Sequence, residues 1–155
     1  MTTLTKAVTK DVVLNDNVTA IDPAKQMTVA LDRLIKEREA WEVGAYKTSN
    51  DQLYAILTKC YAIDFSMSGG ETYSKIRKQS FNEYVKQLGF KFKSETPIMN
   101  RIVKCVFGNV HRSRISAYAK VLKEAKKQEI AINNLAQFIS DSGGIQEIRL
   151  SKSES

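Results

Sequence analysis

Six cationic side chains, Arg112, Arg114, Lys120, Lys123, Lys126 and Lys127, fall within one short stretch of this chain. Cations at that density are suited to one task above others: neutralising a row of phosphates and releasing the counterions condensed on them. At about 100° per residue, Lys123, Lys127 and Lys120 lie near 20°, 60° and 80° from Arg112, with Lys126 near 320°. Ile115, Tyr118, Leu122 and Ala125 fall between about 220° and 300°, so a helix from His111 to about Gln128 sets a basic face beside an apolar one. Arg114 departs from the basic arc, near 200°, but a first-turn side chain can reach past the helix end. A second basic cluster comprises Lys75, Arg77, Lys78 and Lys86, continuing to Lys91 and Lys93. Each cluster has two readings, a polyanion-binding face or a solvated one that keeps the domain dispersed.

Other chemistries find little support. His111 is the single histidine, set beside two arginines that disfavour its protonation, and it reads more readily as a surface or capping residue than as a general base. Cys60 and Cys105 sit in apolar helical patterns with no CxxC spacing, which points to buried free thiols in a reducing compartment. Three Cys and His residues in all fall short of the four ligands of a closed zinc site, so no metal and no cofactor is expected. Ser68-Gly69-Gly70 lacks the Gly-Lys-Ser/Thr ending of a phosphate loop, and both Ser-Gly-Gly triplets read as helix stops. Asp32, Glu37, Glu39 and Glu42 alternate with Lys36 and Arg38, the pattern of an exposed, ion-paired helix surface. No nucleophile with a base and an orienting partner can be assembled, and an enzyme is not expected.

The charge is unevenly distributed along the chain. The net +7 over 155 residues divides into 8 basic and 10 acidic side chains up to Glu71, a net of −2, and 16 basic against 7 acidic beyond it, a net of +9. A polyanionic partner for the C-terminal half follows from that asymmetry. With 43% hydrophobic residues the chain can bury a core without disulfides or a structural metal. No apolar run reaches the roughly 18 residues of a membrane span or the shape of a signal segment, and a cytoplasmic protein without membrane contact is expected.

The elements that must position these residues are helical, since apolar residues recur at three- and four-residue intervals between few prolines and glycines. Asp22-Pro23 is a cap followed by proline at the first helical position, opening a helix whose stripe is Met27, Ala30, Leu31, Leu34 and Trp41. Ser49 and Gln52 have capping-box spacing ahead of Leu53, Ile56, Leu57, Cys60 and Tyr61. A helix over Glu71 to Leu88 ends at Gly89, and Phe90 to Lys93 alternates as a short strand or a connection would. Thr96-Pro97 repeats the cap-plus-proline signature ahead of Ile98, Ile102, Val103, Val106 and Phe107, and a last helix holds Leu135, Phe138 and Ile139. Tyr54 and Tyr61, a heptad apart around Leu57, leave a self-association seam open.

Met99 to Phe107, the turn Gly108-Asn109-Val110, and His111 to Ile115 resemble the two helices of a helix-turn-helix, with polar residues where base edges would be met. Two departures from the usual spacing stand out: Lys104 occupies the place of a small residue, and Ile115 comes one position late as the second helix's anchor. The stretch from Thr96 to Leu150 also resembles, in a general way, small accessory proteins carried by phages and plasmids; that resemblance names no family and carries over no residue.

The sequence thus predicts a single all-α domain, a bundle of about six helices over residues 22–150, with a flexible arm at 1–21 and a polar tail at 151–155. The expected function is non-enzymatic nucleic-acid binding, DNA ahead of RNA. In it Lys120, Lys123, Lys126 and Lys127 hold phosphates and Arg112, Ser113 and Arg114 meet bases, with a homo-oligomer as one way to present them. The alternative is an inhibitor or adaptor whose lysines steer it to an acidic protein surface. A scaffold without any charge-dependent partner is the third reading.

Overall fold

A computed structural model of the chain describes residues 22–43, 50–108 and 112–150. The expected arm and polar tail, Ser49 of the expected capping box, and Asn109, Val110 and His111 lie outside the described residues. Within them the protein is all-α. Seven helices run in chain order, α1 Pro23–Val43, α2 Asn50–Ser66, α3 Thr72–Gln87, α4 Ile98–Phe107, α5 Arg112–Lys127, α6 Leu135–Asp141 and α7 Ile145–Leu150, with a 3₁₀ turn at Ile132–Asn134. None of these helices is long and apolar enough to cross a membrane.

Local chemistry accounts for the ends. The Asp22 carboxylate accepts a hydrogen bond from the Ala24 amide at 2.9 Å, so the sequence signature at Asp22-Pro23 is a working N-cap. At the second such signature the register differs by one residue. Pro97 is itself the extended cap residue and α4 starts at Ile98, with the Arg101 side chain turned back to donate to the carbonyls of Thr96, Lys93 and Ser94. Phe90 to Lys93 forms a connection, not a strand.

α2 is the axis of the bundle and packs against α1, α4, α5 and α6. Leu53, Tyr54, Ile56 and Leu57 are buried, and Cys60 through Asp64 are buried without a break, as befits a helix covered on several sides. The self-association seam expected at Tyr54 and Tyr61 is therefore consumed inside the chain, where the Tyr61 hydroxyl donates to the Ile130 carbonyl at 2.7 Å. Around this axis α3 docks on α1, and α5 docks on α4 and α7.

The α1 carboxylates do more than lace their own surface. Glu37 accepts from Lys59 Nζ at 2.7 Å and from Gln52 Nε2 at 3.2 Å, both on α2, and Asp32 accepts from the Tyr84 hydroxyl of α3. These groups clamp neighbouring helices, because the α1 stripe is narrow enough to leave its flanks within reach of α2 and α3.

Candidate nucleic-acid interface

The candidate interface is built on α5, and its setting begins at the end of α4. Arg38 of α1 donates from Nε to the Val106 carbonyl at 2.8 Å, satisfying one of the carbonyls that a helix C-terminus leaves open, and is itself held by Glu42 at 2.8 Å. Gly108 then turns with φ of 66°, and a Cβ there would stand 3.1 Å from Arg38 Nη2. Glycine is needed on both counts. Trp41, Phe107 and Tyr118 stack beneath this turn, at ring-centroid distances of 6.3 and 4.8 Å.

α5 buries Ala117, Tyr118, Ala119, Val121, Leu122 and Ala125. On the scale that puts Arg112 at zero these span roughly 140° to 340°, a wider buried face than the apolar arc read from sequence. The three alanines widen it, since small side chains let the neighbouring helices close in. What remains outward is a strip holding Arg112, Ser113, Ser116, Lys123 and Lys127, all exposed. Glu124, half-buried near 120°, is its single acid and stands at the margin, bonded by Gln128 Nε2 at 2.9 Å.

The structure divides the cations expected to act together. Lys123 and Lys127 are directed to solvent. Lys120 is half-buried and donates to the Arg149 carbonyl at 2.8 Å, tying α5 to the end of α7. Lys126 lies 2.7 Å from Asp64 Oδ2 and 3.4 Å from Ser68 Oγ, so its ammonium neutralises a carboxylate buried on α2. Arg114 is exposed but faces away from the strip, and its charge bears on the Tyr118 hydroxyl. Burial raises the pKa of that hydroxyl, Arg114 opposes the rise, and Glu42 adds to it.

The secondary cluster divides too. Lys75, Lys78 and Lys86 are exposed on α3, whereas Arg77 is 2% exposed. The Arg77 guanidinium donates to Gln26 Oε1 of α1 at 3.0 Å and sits 6.0 Å from the Tyr73 ring centroid. Arg77 belongs to the packing between α3 and α1 and leaves the basic surface.

The groups that other chemistries would need are held apart or neutral. Burial raises the Cys60 thiol far above its ordinary range, with Cys105 and Glu37 adding to the rise, and burial pushes Cys105 up to about 12. Thiols held protonated in this way are poor nucleophiles. Among the described residues no three His, Cys, Asp or Glu side chains converge to hold a metal.

Sequence reasoning passed over Ser116, although its angle near 40° places it in the middle of the basic strip. It also missed Arg38, whose role depends on a contact 68 residues away and has no local signature. No family model, curated protein or solved structure matches this chain. The functional reading therefore stands on the residues.

Proposed function

We propose that this chain is a non-enzymatic DNA-binding protein of the accessory or regulatory kind, using the outward strip of α5. The observation that carries the reading is the pairing of a firmly seated helix with an outward face of Arg112, Ser113, Ser116, Lys123 and Lys127. Rigidity matters because an ordered backbone presents its cations without a further loss of main-chain entropy on binding. From Arg112 to Lys127 the strip runs about 22 Å along the axis, well within the roughly 34 Å of one duplex turn. Lys123 and Lys127 hold phosphates. Arg112 and Ser113, in the first turn beyond the Gly108 bend, are placed as a second helix of a helix-turn-helix places its base-contacting residues, and Arg114 flanks them. Lys120 and Lys126 contribute to the local potential while holding α7 and Asp64. The two buried free thiols suit a reducing, cytoplasmic setting.

Salt titration of binding to a 30-bp duplex, followed by fluorescence anisotropy, tests this. About three phosphate contacts give a log–log slope near −3, and K123E/K127E should lower its magnitude by about two while weakening binding. Absence of binding at low salt, or a slope unchanged in the variant, overturns the proposal. Retention of one protein partner after nuclease treatment, with no duplex binding, would move the assignment to an acidic protein surface.

A further inference from the structure

α3 carries a second outward stripe that the α5 reading leaves unused. Setting Lys75 at zero, Lys78, Asn82, Lys86 and Gln79 fall near 300°, 340°, 20° and 40°, an arc of about 100°. All five side chains are exposed. The buried residues of the helix, Ser74, Arg77, Phe81 and Val85, occupy the side turned to α1.

The stripe lacks the acids that would balance it. Gln79 and Asn82 stand four residues after Lys75 and Lys78, the positions where a carboxylate would form a stabilising pair along the helix. Amides there keep the positive potential and add N–H donors for anionic oxygens. The arginine of the helix, the side chain best suited to reading guanine edges, is buried at Arg77, so the groups offered outward suit phosphates and not bases.

The layering of the bundle separates this stripe from α5. α3 packs on α1, α1 packs on α2 and α4, and these pack on α5. The α3 stripe points away from α1 while the α5 strip points away from α4, so the two basic faces open on different sides of the molecule.

We propose that α3 is a second, sequence-independent contact for the DNA backbone, and that one chain thereby bridges two duplex segments. This inference rests on the DNA-binding reading of α5. Its test immobilises one 30-bp duplex on beads, adds the full chain at low salt and below duplex concentration, and measures retention of a second, fluorescent duplex from solution.

The wild-type chain should retain the second duplex. K75E/K78E/K86E should bind the immobilised duplex within about twofold of wild type, yet lose at least about tenfold of the bridging signal. The neutral variant K75Q/K78Q/K86Q, with unchanged far-UV circular dichroism, should show an intermediate loss and guards against a folding defect in the first. Undiminished bridging by both variants, as self-association would give, overturns the proposal. Wild-type binding to the first duplex without capture of the second overturns bridging alone, whereas failure to bind any duplex overturns the α5 reading beneath it.

Discussion

α3 and α5 are each sixteen residues long and each strongly basic, with four cations in α3 and six in α5, yet they use that charge in opposite ways. α3 sends one arginine into the interior, where Arg77 meets Gln26 and Tyr73, and keeps its lysines outside. α5 keeps its arginines outside and turns two lysines, Lys120 and Lys126, onto protein oxygens at its edges. The difference follows from docking. α3 leans mainly on α1, so one long planar cation can lie in that contact, while α5 is wedged among several helices and fills its buried face with alanines and larger apolar residues. A count of cations therefore overstates how many are available to a partner. Those with internal partners bear on stability, and the rest bear on binding.

The sharpest break of this comparison is at Arg77. Replacing it with alanine removes a buried side chain and its hydrogen bonds, at a cost of about 3 kcal/mol. For a domain of this size that is a fall of about 10 °C in Tm. Lys78→Ala, one residue along and exposed, should stay within about 0.5 kcal/mol. Urea denaturation of the two variants measures both, and equal losses would contradict the structural role given to Arg77.

Lys126 offers the next contrast, against Lys123 on the same helix. Lys126→Ala strands the Asp64 carboxylate, which is 2% exposed, whereas the lysine itself is 44% exposed. Solvent can partly take the lysine's place, so the cost should be about 2 kcal/mol, below that of a fully buried pair. Adding Asp64→Asn removes the stranded charge and should restore about half of the loss. Lys123→Ala should leave stability unchanged and weaken duplex binding instead. Thermal melts read beside the anisotropy titrations separate the two lysines.

Much of this arrangement was legible in the residues, for identifiable reasons. The cap at Asp22, the stripe of α1 and the stop at Gly89 are local, decided by side chains within a turn of one another. The basic strip of α5 follows from the same periodicity. Arg77 was also within reach, since it stands three residues after Ser74 and four before Phe81, the middle of the face that α3 buries; charge alone assigned it to the surface. What could not be read locally are the partners brought together by packing: Glu37 with Lys59, Arg38 with Val106, and Asp64 with Lys126. Each joins helices whose adjacency depends on the whole bundle, and each changes what its cation is free to do.

The mildest test lies where the two helices end. Both close with the same paired hydrogen bonds. In α3 the Phe90 amide donates to the Val85 carbonyl and Gly89 to Lys86; in α5 Ile130 donates to Ala125 and Glu129 to Lys126. The residue in the left-handed position differs, Gly89 at φ 90° against Glu129 at φ 60°. A side chain in that conformation costs about 1–2 kcal/mol, and glycine avoids this while losing more freedom on folding. Glu129→Gly should thus stabilise the protein by about 0.5–1 kcal/mol, and Gly89→Ala should destabilise it by a similar amount. A carboxylate beside a helix C-terminus is also disfavoured, which Glu129→Gln isolates at about 0.3 kcal/mol because it keeps the Cβ and loses the charge. If the glutamine variant gains as much as the glycine variant, charge and not backbone conformation is what burdens the end of α5.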